Sequence, residues 1–184
     1  MAEMLSATGK LTITESTLKG NAGSFGGAIR NIAGEITITD STLSQNTGEW
    51  GGAIYNRNGV LTVTDSAFTE NTAERNGGAI INDGSLTITG STLAENTSDD
   101  SGGAIGNKDS LTVTDCAFTG NSAQTDGGAI YNPKGELTIA HSTFDINTAQ
   151  KYGGAIYLRV QENYESDNCT FNGNEPDDVF CENF

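Results

Sequence analysis

Basic residues are scarce in this sequence: it has 9 lysines and arginines against 24 aspartates and glutamates, and a formal net charge of −15. Such an imbalance argues against nucleic acid and anionic membrane surfaces as partners. No apolar run approaches the length of a membrane span, so no membrane insertion is expected. Met1-Ala2-Glu3-Met4 lacks the basic and apolar regions of a signal peptide, as would a chain whose leader had been removed. The acidic composition suits a soluble protein that is secreted or held at a cell surface.

Cysteines are too few for a disulfide scaffold, since the chain has only 3. Cys116 and Cys169 occupy the same position of the repeat described below, two coils apart, and a separation of roughly 9–10 Å is too large for a disulfide. A disulfide between Cys169 and Cys181 is feasible and would hold the C-terminal tail, and the sequence leaves it open. Cys116 is interpreted as a small buried residue that replaces the serine of other coils.

Signals of catalysis and of cofactor binding are also lacking. No P-loop, zinc spacing or calcium-binding nonapeptide occurs. The only histidine, His141, stands at a turn where other coils have Asp or Glu, so we interpret it as a solvated turn residue. We therefore expect a protein that is not an enzyme and that has no catalytic residues, no cofactor and no metal.

What the sequence does have is a short alternating phrase, Leu-Thr-Ile-Thr, whose copies lie 25 residues apart, with 26 at the last step. A second phrase, Gly-Gly-Ala-Ile, recurs with a similar period. Alternation of apolar and polar residues predicts a strand with one buried face, and a fixed period predicts a stack of similar units. The first phrase begins at Leu11, Ile36, Leu61, Leu86, Leu111 and Leu137, and the second at Gly26, Gly51, Gly77, Gly102, Gly127 and Gly153.

These repeats predict an all-β fold, a right-handed parallel β-helix (β-solenoid) of about seven coils of 25–26 residues, with three short strands per coil. No segment has a helical apolar period, and β-branched residues dominate the strands. In-register stacking would place successive coils about 4.8 Å apart. The whole chain, 1–184, is predicted to be a single domain. It would consist of a lead-in over 1–10, regular coils over 11–158, and a degenerate last coil with a C-terminal cap over 159–184.

Within each coil, the predicted strands are the Leu-Thr-Ile-Thr phrase, a Ser-Thr-Leu segment and a Gly-Ala-Ile-x-Asn segment. Glycines such as Gly59 and Gly84 precede the first strand and are expected at positive φ. A variable polar loop is expected between the second and third strands. Two columns of stacked asparagines, containing Asn71 and Asn82, are expected inside the coil with hydrogen bonds along its axis.

The pairing of Gly-Gly-Ala-Ile with Ser-x-Phe/Leu-x-x-Asn at fixed spacing resembles the repeats of chlamydial polymorphic membrane proteins, over roughly residues 9–175. Similar repeats occur in β-helical surface proteins and adhesin-like proteins of other bacteria and archaea. The resemblance implies the same fold. For function it implies an extracellular adhesin-like or structural β-helix module that binds a protein or a glycan.

A second resemblance concerns the outward side of the first strand. Thr-x-Thr on every coil of a flat β-helix is similar to the ice-binding surface of insect and microbial antifreeze proteins, although the insect proteins have shorter, cysteine-rich coils. It implies a monomeric ice-binding (antifreeze) protein whose partner is ice or ordered water. The ice-binding residues would be Thr12, Thr14, Thr37, Thr39, Thr62, Thr64, Thr87, Thr89, Thr112, Thr114 and Thr138, with Ala140 as an interruption.

Two functional hypotheses therefore stand. Ice binding is favoured because the threonine positions are strict, whereas the outward positions of the third strand vary freely. The alternative is the adhesin-like or structural module, in which threonine is only a solvent-facing strand residue copied by duplication of one coil. The variable outward positions are Arg30, Tyr55, Ile81, Gly106, Tyr131 and Tyr157.

Overall fold

The computed structural model describes residues 5–160 and 163–183 and shows an all-β parallel solenoid of about seven coils. Every strand pairing in the described part of the chain is parallel and joins a residue to its counterpart in the next coil. The predicted fold class is confirmed. Among the described residues, no helix is both long and apolar enough to cross a membrane.

The described strands form three sheets that wrap around a common core. The large sheet contains Leu5–Ala7, Lys10–Thr14, Ile29–Ile32, Glu35–Thr39, Ile54–Thr64, Ile80–Thr89, Ile105–Asn107, Ser110–Thr114, Ile130–Asn132, Glu136–Ala140, Ile156–Val160, Tyr164–Asp167 and Val179–Asn183. The second sheet contains Thr17–Lys19, Thr42–Ser44, Ala67–Thr69, Thr92–Ala94, Ala117–Thr119, Thr143–Asp145 and Thr170–Asn172. The third sheet contains Ala22–Phe25, Thr47–Trp50, Thr72–Ala73, Thr97–Ser98, Ser122–Ala123 and Thr148–Ala149.

The assignment of strands to sheets differs from the sequence prediction in one respect. The Gly-Ala-Ile-x-Asn and Leu-Thr-Ile-Thr segments belong to the same sheet, and in two coils they run together as the continuous strands Ile54–Thr64 and Ile80–Thr89. The third sheet starts instead where a variable polar loop was predicted, for example at Thr72–Ala73. Strands this short carry too little periodicity to be recognised from the sequence.

The core is a single column of apolar side chains along the axis. Ile38, Val63 and Ile88 are inaccessible to solvent at one position of the repeat, and Phe118 and Phe144 stack face to face with ring centres 4.7 Å apart at another. The alanines of the Gly-Gly-Ala-Ile phrase, such as Ala79, are equally buried. Because each layer repeats the layer below it, the apolar contacts favour straight, unslipped stacking of the coils.

Left-handed residues make three of the corners in most coils. One corner uses the turn residues Glu15, Asp40, Asp65, Asp115 and His141, whose φ angles lie between 46° and 53°. Another uses the first glycine of Gly-Gly, where Gly77 has φ 74°. The second glycine, Gly78, is needed for space, because a Cβ there would lie 2.5 Å from the carbonyl oxygen of Thr97 in the next coil. Gly-Gly therefore combines a conformational and a steric requirement.

The glycines that precede the first strand do not have the positive φ that the sequence predicted. Gly84 lies outside the left-handed region, but a Cβ on it would be 2.5 Å from the carbonyl oxygen of Gly59. A Cβ on Gly59 would similarly meet the carbonyl oxygen of Gly34 at 2.8 Å. These glycines are required because the turns stack closely, which a repeat pattern alone cannot distinguish from a requirement on φ.

Candidate functional site: the threonine face

The eleven predicted threonines lie on one side of the large sheet, which we call the threonine face, in two rows parallel to the solenoid axis. Thr12 pairs with Thr37, and the same row runs through each later coil in register without a slip. The first row is Thr12, Thr37, Thr62, Thr87, Thr112 and Thr138, and the second is Thr14, Thr39, Thr64, Thr89 and Thr114, followed by Ala140.

The strands that carry these rows are anchored from beneath. In the strand Glu35–Thr39, Ile36 and Ile38 are fully buried while Thr37 and Thr39 are partly exposed. The same alternation recurs in the later copies of the phrase. Since threonine is β-branched and has restricted χ1 torsion, each side chain is held in place by its backbone with little further ordering. The face is therefore a preformed array of methyl and hydroxyl groups.

The hydroxyl groups of the two rows make no hydrogen bond to another protein group within the described part of the chain. Some threonines of the third sheet, in contrast, have a hydroxyl partner. On the third sheet, the hydroxyls of Thr72 and Thr97 lie 3.1 Å apart and bond to each other, and Thr148 donates to the hydroxyl of Ser122 at 3.2 Å. The hydroxyls of the threonine face thus keep their hydrogen-bonding capacity for water.

A third outward column borders the first threonine row and was not predicted from the sequence. Its central members, Val60, Ser85 and Ser110, carry no charge, and Val60 is 47% exposed. The outer members are charged, with Lys10 and Glu35 forming an ion pair of 2.8 Å. In order along the axis the column is Lys10, Glu35, Val60, Ser85, Ser110 and Glu136. Alternation within each strand could have revealed it, because it lies two residues before the first row.

Charged residues also end the threonine rows at the C-terminal side. The strand Tyr164–Asp167 pairs with Glu136–Ala140 and places Glu165 next to Thr138 and Asp167 next to Ala140. Carboxylates bind water strongly and impose their own geometry on it. These residues therefore mark the limit of the uncharged part of the face. That part covers the third to fifth coils, from Val60 to Thr114.

A border of turn residues runs beside the second row. It includes His141, whose side chain is 54% exposed and whose Nε2 lies 3.9 Å from a carboxylate oxygen of Asp167. Its exposure fits the interpretation of His141 as a solvated turn residue. Another outward column, in which Ala67 and Ala117 interrupt the threonines, lies across this turn on the second sheet and does not extend the threonine face.

The outward positions of the third predicted strand are not all exposed, contrary to the sequence analysis. Ile81 is 1% and Tyr157 8% exposed, and the Tyr157 ring stacks with Tyr131 and Phe180. The disulfide between Cys169 and Cys181 is not formed: the Cys169 sulfur instead lies 3.4 Å from the carbonyl oxygen of Asp167. Cys116 is buried as expected, at the position held by Ser91 and Ser142 in neighbouring coils.

The geometry defines the class of this protein as a parallel β-solenoid of 25- to 26-residue coils with one regular threonine-bearing face. The model of the family described as the right-handed β-helix region matches residues 4–183, and the chain belongs to that family. Its right-handed coil, predicted from the coil length, is thereby supported. Comparison with curated proteins and with solved structures gives no match.

Proposed function

We propose that the protein adsorbs to ice through the threonine face. The observation that carries this proposal is the pair of in-register threonine rows whose hydroxyls have no protein partner in the described chain, on a part of the face without charged side chains. On this proposal the ligand is ordered water at an ice surface. The protein acts as a secreted or cell-surface monomer, without a cofactor and without catalysis.

The spacing of the face supports this mechanism. Neighbouring threonines in a row are about 4.8 Å apart, and the two rows are roughly 6.6 Å apart along the strand. Both spacings come close to the oxygen repeats on ice planes. Hydroxyls at these positions can order a row of waters while the methyl groups shape the water between them, and these waters then merge with the ice lattice. The same Thr-x-Thr pattern makes the face resemble that of β-solenoid antifreeze proteins.

The energetics require an extended face. A single threonine contributes little, since a hydroxyl exchanges bulk water for ordered water with a small net free energy. Rigid side chains repeated over six coils lose little entropy on binding, so small contributions can add along the face. A bulky or charged side chain in the centre of the face would therefore affect several neighbouring water sites at once.

The test is thermal hysteresis of purified protein carrying Thr87→Lys or Thr62→Tyr. We expect either substitution to abolish hysteresis and the faceting of ice crystals, while circular dichroism retains the β-solenoid signal. Thr92→Lys is the matched control, because Thr92 is an exposed outward threonine of the second sheet. It should leave hysteresis unchanged. Unfaceted, disk-shaped crystals in wild-type solution, or equal hysteresis in all variants, would refute the proposal.

A further inference from the structure

Two outward columns flank the Gly-Gly corner, and one of them lies in the large sheet, in the segments that precede the threonine-bearing segments. The flanking column is formed by the residue before each Gly-Gly, and the strand column by the residue after each buried isoleucine of that phrase. The flanking column is Phe25, Trp50, Asn76, Ser101, Asp126 and Tyr152. The strand column is Arg30, Tyr55, Ile81, Gly106, Tyr131, Tyr157 and Phe180.

In the N-terminal half, the aromatic rings of these columns are contacted by cations from the chain itself. The Arg30 guanidinium lies 5.3 Å from the centre of the Phe25 ring. Trp50 has two such partners, Arg75 at 5.2 Å and Lys108 at 5.0 Å. These distances are within the range of cation–π attraction. The columns are therefore already used within this protein to hold basic side chains against aromatic rings.

In the C-terminal half, four rings contact one another and form what we call the C-terminal aromatic cluster: Tyr131, Tyr152, Tyr157 and Phe180. Tyr131 stacks on Tyr157 with ring centres 5.1 Å apart, and Tyr152 stacks on Phe180 at 4.3 Å. Tyr152 is 47% exposed. Within the described chain no cation–π contact is made to these four rings.

The charges nearest to this cluster are mostly negative. Asp100, Asp126 and Glu182 all act on the phenol groups of Tyr131 or Tyr157. The Oδ1 atom of Asp126 is buried and has no hydrogen-bond partner in the described structure, while the backbone of Tyr152 hydrogen-bonds to the same carboxylate group.

The nearby basic side chains lie beside carboxylates. Arg159 lies 3.7 Å from Glu182, which also accepts a hydrogen bond of 2.9 Å from the Tyr157 hydroxyl. Lys151 interacts electrostatically with Asp126. The cluster therefore has three carboxylates and two cations around it, so negative charge is in excess.

We propose that the C-terminal aromatic cluster binds an arginine side chain from a basic segment of a partner protein, with Tyr152 contacting the guanidinium and Asp126 pairing with it. In the N-terminal half, the flanking column holds the chain's own cations against Phe25 and Trp50, which supports a cation at Tyr152 of the same column. Arginine suits the site because its planar guanidinium stacks on aromatic rings and donates to carboxylates at once. The net charge of −15 would steer a basic segment toward the protein.

The experiment titrates the full chain with a short peptide of arginine and glycine, and with the same peptide in which citrulline replaces arginine. We expect calorimetry to show saturable binding of the arginine peptide and no binding of the citrulline peptide. Tyr152→Ala should weaken binding roughly fivefold, equivalent to about 1 kcal/mol. Asp126→Asn should also weaken it, which provides a second variant that leaves the aromatic cluster intact.

Two matched variants separate this site from general attraction to an acidic protein. Tyr55→Ala removes an aromatic ring of the strand column in the N-terminal half, and Asp40→Asn removes one charge at a distant turn; neither should change the affinity. Equal binding of the citrulline peptide, or equal weakening by Asp40→Asn and Asp126→Asn, would overturn the proposal. Binding of a neutral oligosaccharide in place of the arginine peptide would also overturn it. Thermal hysteresis of Tyr152→Ala should match wild type, so that this proposal and ice binding fail or succeed separately.

Discussion

Asn71 and Asn96 stack inside the solenoid, with Nδ2 of Asn71 3.0 Å from Oδ1 of Asn96. The same Oδ1 atom accepts the backbone N–H of Asn71 at 3.0 Å. The second hydrogen of the Asn71 amide is donated to the carbonyl oxygen of Leu43 at 2.9 Å. Asn46, Asn96, Asn121 and Asn147 repeat the pattern, so the bonds are satisfied only when the coils superimpose without slipping. The column thereby helps to keep the threonine rows straight.

Replacing one asparagine of this column should destabilise the protein strongly. Asn71→Ala leaves the backbone N–H and the side-chain amide of Asn46 without their acceptor, and Leu43 without its donor. Buried polar groups left unsatisfied cost 1–3 kcal/mol each, so we expect a loss of about 3 kcal/mol in the free energy of unfolding, measured by denaturant titration. Asn172→Ala, at an exposed position, should change it by less than about 0.5 kcal/mol. Similar small losses in both variants would contradict a stabilising role for the column.

Much of this fold could be predicted from the sequence because a repeat supplies each inference several times. The alternation of Leu11 and Thr12 says which side chain is buried in one coil, and the same alternation in the other coils removes doubt about the register. Asn71 could likewise be placed inside the coil, since its position recurs at a constant distance from the strands. The threonine rows follow directly from that register.

Features that depend on contacts between different parts of the coil could not be predicted. Thr72–Ala73 is too short to show a strand period, and its role as a strand depends on its neighbours above and below. Ile81 is only 1% exposed, and its outward position in the strand gave no sign of this. The uncharged column of Val60 and Ser85 was missed because its members share no residue type, although they share a position.

Ile146 is a site where substitution should stabilise the protein. It has φ 49° and is 60% exposed, and it forms the left-handed corner just before the stacked asparagine. The other coils have glycine or an unbranched side chain there: Gly20, Gln45, Glu70, Glu95, Gly120 and Gly173. A β-branched residue in the left-handed region is strained, by about 1–2 kcal/mol. We expect Ile146→Gly to raise the free energy of unfolding by about 1 kcal/mol in denaturant titrations. Gly120→Val, the reverse change one coil away, should lower it. An unchanged or lower stability in Ile146→Gly would show that the strain is absent or offset.

Alkaline pH should destabilise the protein, in part through Tyr157. Burial, together with the hydrogen bond that its hydroxyl donates to Glu182, raises the pKa of Tyr157 well above its ordinary value of 10.0. The folded state therefore keeps a proton that the unfolded chain releases, so the contribution to stability is complete below pH 10 and is lost as the pH rises above it.

The measurement for Tyr157 is the free energy of unfolding between neutral pH and about pH 11, for wild type and Tyr157→Phe. The variant should be less stable at neutral pH, because it lacks the hydrogen bond, but should lose less stability on the alkaline side. Burial also raises the pKa of Cys116, Tyr131 and Tyr164, so some alkaline loss should remain in the variant. Parallel pH curves for the two proteins would show that Tyr157 does not contribute.

The uncharged column beside the first threonine row predicts that ice binding depends on residues that are not threonine. Ser85 lies between Val60 and Ser110 and two residues before Thr87, in the centre of the uncharged part of the face. A lysine there would place a strongly hydrated ammonium group beside the ordered water of both neighbouring coils. We expect Ser85→Lys to reduce thermal hysteresis by at least about half while the fold is unchanged by circular dichroism. Ser122→Lys, on the third sheet, is the matched control and should retain full hysteresis. Full hysteresis in Ser85→Lys would restrict the binding face to the two threonine rows.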